Sequence, residues 1–107
     1  MTIVSRRIAK PLPGKTDVVL SRVTRFKDFV IKAGAKARAA KFVGGSLNGS
    51  IQLTTIFENM TEATKSFEAY SKDPEMISLM KEREDNPAAT LIGPEIYTSV
   101  YLSLIHI

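Results

Sequence analysis

Residues 16–58 read TDVVLSRVTRFKDFVIKAGAKARAAKFVGGSLNGSIQLTTIFE, and a change of hydrophobic period inside this stretch decides the fold. Val19, Val23, Phe26, Val30 and Ala33 recur at helical spacing and form one stripe, while Asp17, Ser21, Thr24, Asp28 and Lys32 fall opposite. Thr16 is the expected cap of this helix, with Asp17 favourable at the positive end of its dipole. Gly34 stands where a C′ glycine is expected. Beyond it the period falls to two. Ala35–Leu47 and Ser50–Glu58 read as strands around Asn48-Gly49, a dipeptide suited to a type I′ hairpin because it tolerates positive φ at both central positions.

A two-residue loop there sets Phe42 opposite Thr55 and Ala40 opposite Phe57. One face of the hairpin then carries Arg38, Ala40, Phe42, Ile51, Leu53, Thr55 and Phe57, and the other Ala37, Ala39, Lys41, Val43, Gln52, Thr54, Ile56 and Glu58. A bulge at Gly44-Gly45 would swap these faces.

Working outward, Thr2–Lys10 reads as a strand stopped by Pro11 and Pro13-Gly14. Asn59 and Glu62 form a capping box for a helix carrying Ala63, Phe67 and Tyr70. Asp73-Pro74 restarts that helix, with Ile77 and Met80 as its apolar side, and Asn86-Pro87 ends it. Gly93-Pro94 reads as a turn and Ile96–Leu102 as a last strand. The order β-α-β-β-α-β predicts a single α+β domain over residues 1–107. Its expected form is ferredoxin-like, a four-stranded antiparallel sheet with both helices on one face.

In such a sheet the uncovered face of a monomer should be polar. Here both faces are partly apolar, and in the last strand Ile96, Val100 and Leu102 alternate with Tyr97 and Tyr101. A second copy, sheet against sheet about a two-fold axis, is the expected cover. The apolar tail Leu104-Ile105-His106-Ile107 supports a homodimer, since a free β-forming segment invites aggregation.

In element order, element lengths and broken second helix, the chain resembles the dimeric α+β barrel superfamily, which includes antibiotic-biosynthesis-monooxygenase-like and stress-responsive barrel proteins. The resemblance implies a dimeric barrel and a range of activities: oxygenases, isomerases, haem-degrading enzymes and proteins of unknown activity. Haem-degrading members resemble one another in using a histidine with an Asn and a Trp. This chain has no Trp, and its one histidine is His106, so the resemblance implies no haem here.

Composition narrows the chemistry. The 107 residues include no cysteine, which removes a disulfide scaffold, a thiolate metal site and a cysteine nucleophile. It also fits a reducing, cytoplasmic location. No apolar run is long enough to span a bilayer, so no membrane partner is expected. The formal charge of +4 comes from scattered basic residues and reads as a solvated surface. The third strand carries one aromatic residue and no basic–Gly–aromatic start, so no nucleic-acid partner is expected either. Glu82 and Glu84 diverge on a helix and do not converge on a metal. Pro13-Gly14-Lys15-Thr16 lacks the upstream glycine of a phosphate loop. No cofactor is expected.

What remains are polar residues set in apolar strands: Arg6, Arg7, Arg38, Thr55, Tyr97 and Tyr101. An Arg and a phenol in an apolar cavity suit a small organic anion or phenol. The expected cavity lies between the sheet and the stripe Val19, Val23, Phe26, Val30, with an entrance by Pro74. Arg38 is the expected charge anchor, joined by Thr55 and by Tyr97 or Tyr101. Two classes of function fit: a small-molecule binder, in its enzymatic form a cofactor-independent oxygenase or isomerase, and a non-catalytic dimeric interaction module.

Overall fold

The computed structural model of the chain describes residues 2–98. β1 (Ile3–Pro11) is followed by α1 (Thr16–Lys32), β2 (Lys36–Lys41), β3 (Ile51–Phe57), α2 (Met60–Ser71), α3 (Pro74–Asp85) and β4 (Ala89–Thr98). The strands form one antiparallel sheet in the order β2-β3-β1-β4. This is the ferredoxin-like arrangement, with the second helix broken ahead of Pro74.

The α1 stripe packs on the sheet. Val19, Phe26 and Val30 are buried, and Val23 is packed against the same core. Gly34, at φ +98°, closes the helix: its N–H donates to Ile31 O and the Ala35 N–H donates to Val30 O. Those two bonds make a Schellman motif, and the positive φ is the reason for a glycine there. At the other end, Lys15 takes the N-cap position without a side-chain bond and Thr16 is already helical, so the expected Thr16 cap does not form. The two later caps do form. Asn59 Oδ1 accepts from Glu62 N, and Asp73 Oδ1 accepts from Glu75 N with Pro74 in the first turn.

α3 presents its expected apolar side only in part: Met80 packs against the core, but Ile77 does not. Met76 and Leu79 are buried, whereas Ile77 is 56% exposed. Met76 and Leu79 join Phe26, Val30, Leu53 and Tyr70 in one cluster, while Ala9, Val19, Ile51 and Ala88 form a second.

The β2–β3 register also differs. β2 stops at Lys41, which pairs with Ile51, so Ala37 faces Thr55 and Arg38 faces Thr54. Residues 42–50 form a longer loop, closed where Phe42 N–H donates to Ser50 O and Gly49 N–H donates to Phe42 O. Asn48-Gly49 still lies at the centre of a turn, with Ser50 N–H donating to Leu47 O, but only Gly49 has positive φ. A type I′ hairpin needs both. The shift is by an odd number of residues, so the faces of β2 are exchanged: Ala37 and Ala39 lie on the helix side, Arg38 and Ala40 on the other. The alternation of β3 is as expected, with Ile51, Leu53, Thr55 and Phe57 all buried.

β4 starts earlier than expected and carries Gly93-Pro94 as an irregularity within the strand, where the sequence suggests a turn. The pairing shifts by one residue between Arg6↔Glu95 and Ile8↔Ile92. Gly93 has φ +92°, and a Cβ added there would lie 2.8 Å from Arg6 O. Only glycine fits that approach.

The sheet face away from the helices is mixed. Val4 pairs with both Ile56 and Tyr97, which are 41% and 48% exposed. Beside them the Arg6 guanidinium bonds the Glu95 carboxylate across the strands.

Candidate functional site

A cavity of about 380 Å³ lies between the sheet and the helices. Its floor comes from β1 and β3, where Ala9 pairs with Ile51 and Arg7 with Leu53. Its roof comes from α1, through Val19, Val23 and Phe26, and from Leu79 and Met80 of α3. The rim is formed by residues 87–89 and 91–94, where Leu91 is 53% exposed. The cavity thus lies against the predicted stripe, but its rim is at the C-terminal end of α3 and the start of β4. Pro74 is not among its lining residues.

Three guanidinium groups line it: Arg7, Arg22 and Arg83. Arg7 alternates with Ser5 and Ala9 on the helix side of β1, and its place in β4 is taken by the Gly93-Pro94 irregularity. Its guanidinium carbon lies 4.8 Å from the centre of the Phe26 ring, a cation–π contact, and its Nη2 is 3.5 Å from Tyr70 Oη. Burial raises the Tyr70 phenol above its ordinary pKa, and the Arg7 charge and hydrogen bond oppose that shift.

Arg22 is buried within the α1 stripe, three residues after Val19 and four before Phe26. Its Nε donates to Glu82 Oε2 at 2.9 Å and its Nη1 to Asn86 O at 2.8 Å. Arg25 adds Nη1 to the same carboxylate, 3.0 Å from Oε2. The Arg22 and Arg25 hydrogen bonds hold the Glu82 carboxyl below the usual carboxylate range. Among the described residues Arg83, one residue on, bonds only the Met80 thioether, at 3.2 Å. Burial, followed by the charges of Arg7 and Arg22, holds its guanidinium below its ordinary pKa. It remains a cation, as guanidinium groups do throughout the physiological range.

Of the residues expected at the cavity, the described ones, Arg38, Thr55 and Tyr97, do not line it. Arg38 is exposed on β2, on the face away from the helices, because of the register shift. Thr55 is buried on the helix side between Ala37 and Ser5, but it does not line the cavity. Tyr97 is on the outer face opposite Val4. Tyr101 and His106 lie outside the described residues. The arginines that do line the cavity are Arg7, one of the polar residues set in apolar strands, and Arg22 and Arg83, to which the sequence alone assigns no site role. Arg22 had a signal: its spacing from Val19 and Phe26 puts it inside the stripe. Among the described residues, no group of three or more His, Cys, Asp or Glu side chains could hold a metal ion. No helix among them is long and apolar enough to cross a membrane.

No protein-family profile matches the chain, and no curated protein matches it by sequence. Solved structures match its fold. A NIPSNAP family protein from Agrobacterium tumefaciens is 12% identical, with a TM-score of 0.72 and 94% of each chain covered. A single-site variant of SnoaB, a cofactor-independent oxygenase from Streptomyces nogalater, is 9% identical, with a TM-score of 0.67 over 92% of each chain. A candidate antibiotic biosynthesis monooxygenase from Deinococcus radiodurans is 9% identical, with a TM-score of 0.68 over 92% of each chain. The chain therefore shares the ferredoxin-like α+β fold of these structures. The likeness is one of fold and carries no chemistry with it.

Proposed function

We propose that the protein is a homodimer that binds a small organic molecule in the cavity between its sheet and its helices. The observation that carries this reading is the cavity itself: apolar walls from three strands and two helices, with three arginines at one site. A few polar groups in an apolar concavity are what small-molecule sites have in common. The outer face, with Val4, Ile56 and Tyr97 adjacent, is the surface we assign to the second copy.

The enzymatic form of this reading is oxygenation or isomerisation without a cofactor, the former being the activity named for SnoaB, which shares the fold. The alternative is a non-catalytic dimeric module acting through its surface. A thermal-shift screen against a metabolite library separates them, run in parallel on the wild type and on Ala88→Leu. Ala88 is buried and lines the cavity, so a larger side chain there occupies ligand space. Hits that stabilise the wild type and not the variant support the cavity reading. Aerobic incubation of each hit then distinguishes a binder, which returns it unchanged, from an enzyme. Hits that stabilise both proteins equally, or no hits at all, favour the surface module.

A further inference from the structure

The arginines at the cavity are not equivalent. Arg22 is fully engaged, with Glu82 and the Asn86 carbonyl as acceptors. Arg7 and Arg83 have no carboxylate partner among the described residues; their neighbours are a ring face, a distant phenol oxygen and a thioether. Glu84 also lines the cavity, but it is exposed and bonds neither guanidinium. Among the described residues, two partly buried cations therefore face one cavity with weak acceptors only. Leaving a charged donor without an acceptor away from water is costly, and each positive charge raises the cost of the other.

From this we infer that the ligand is an organic carboxylate, its anionic end received by Arg7 and Arg83 and its apolar body held against Val19, Ile51 and Leu79. The inference rests on the cavity reading above and names its substrate class. Guanidinium groups match a carboxylate through paired N–H donors, so the anion would satisfy what Met80 and Tyr70 cannot. Phe26 already stacks under Arg7 and fixes the height of its guanidinium above the ring. Apart from Arg22, Glu84 and the Met80 thioether, the rest of the lining is aliphatic or glycine, which favours an apolar body over a sugar or a nucleotide.

The test is a matched pair of probes, 2-naphthoate and neutral 2-naphthamide, measured by calorimetry on wild type, Arg7→Gln, Arg83→Gln and Arg25→Gln. The expected result is acid binding at least about tenfold tighter than the amide, as loss of a charge-assisted bond implies. Arg7→Gln and Arg83→Gln should each erase most of that preference, while Arg25→Gln, whose arginine pairs with Glu82 outside the cavity lining, should keep it. The acid–amide comparison on wild type stands even if a variant fails to fold. Equal binding of acid and amide would overturn the carboxylate assignment and leave the cavity reading intact. Binding of neither probe would overturn both.

Discussion

Arg22 and Glu82 join α1 to the last turn of α3: the buried guanidinium donates to a half-exposed carboxylate at 2.9 Å and, through its second arm, to the Asn86 carbonyl that follows the helix. This bridge ties together α1 and α3, the two helices that roof the cavity. Glu82→Gln should lower the thermal midpoint. The sign of the pH effect follows from the depressed carboxyl pKa. Its contribution is present above the unfolded pKa and is lost as pH falls through the lower folded value. The midpoints of wild type and Glu82→Gln should therefore converge in acid, below the usual carboxylate range. A gap that stays constant down through that range would show that the bridge contributes nothing.

Leu79 and Ile77 test which face of α3 is inside. Leu79 is 1% exposed, so Leu79→Ala should cost about 2–5 kcal/mol in urea unfolding. Ile77→Ala should stay within about 0.5 kcal/mol, as expected at an exposed site. The reverse order would mean that α3 is rotated.

Gly93 tests the β4 irregularity that makes room for Arg7. Gly93→Ala would place a Cβ 2.8 Å from Arg6 O and 3.0 Å from Glu95 N at φ +92°. Both contacts are backbone, so the cost should be about 1–3 kcal/mol. Gly44→Ala meets nothing within 4 Å and has no positive φ, so it should be near neutral. Equal effects of the two substitutions would remove the special role of position 93.

What was legible in the sequence was periodic. The α1 stripe, the Asn59 and Asp73 caps, the break at Pro74 and the alternation of β3 depend on neighbours within one or two turns, and they stand as read. What was not legible depends on distant partners. Gly45 and Gly49 both take positive φ, so the loop 42–50 holds more than one turn and β2 meets β3 out of the expected register. That shift moved Arg38 off the helix side. Arg7 is visible in the sequence only as one of several polar strand residues, and Arg22 not at all as a site residue: charge is normally assigned outward, and only the positions of Leu53, Phe26 and Glu82 bring these two inward. On α3 the expected side holds at Met80 but not at Ile77, whose place is taken by Met76 and Leu79, because a short helix after a break offers too few turns to fix its phase.

The outer sheet face carries the dimer prediction. Light scattering with size exclusion should give about twice the 11.8 kDa chain mass. Ile56→Lys should weaken the dimer, because it sets a charge beside Val4 in the proposed interface. A wild-type protein of single-chain mass, or an unaltered dimer in the variant, would remove that face as the interface.

Methyl NMR of the protein titrated with 2-naphthoate bears most directly on the cavity. Val19, Ile51 and Leu79 line it, whereas Val4 and Ile56 share the opposite face of the sheet. The expected result is a saturable shift of the Val19, Ile51 and Leu79 methyl signals with those of Val4 and Ile56 unmoved. Shifts confined to Val4 and Ile56, or no shift at any of the five, would remove the space between sheet and helices as the binding site.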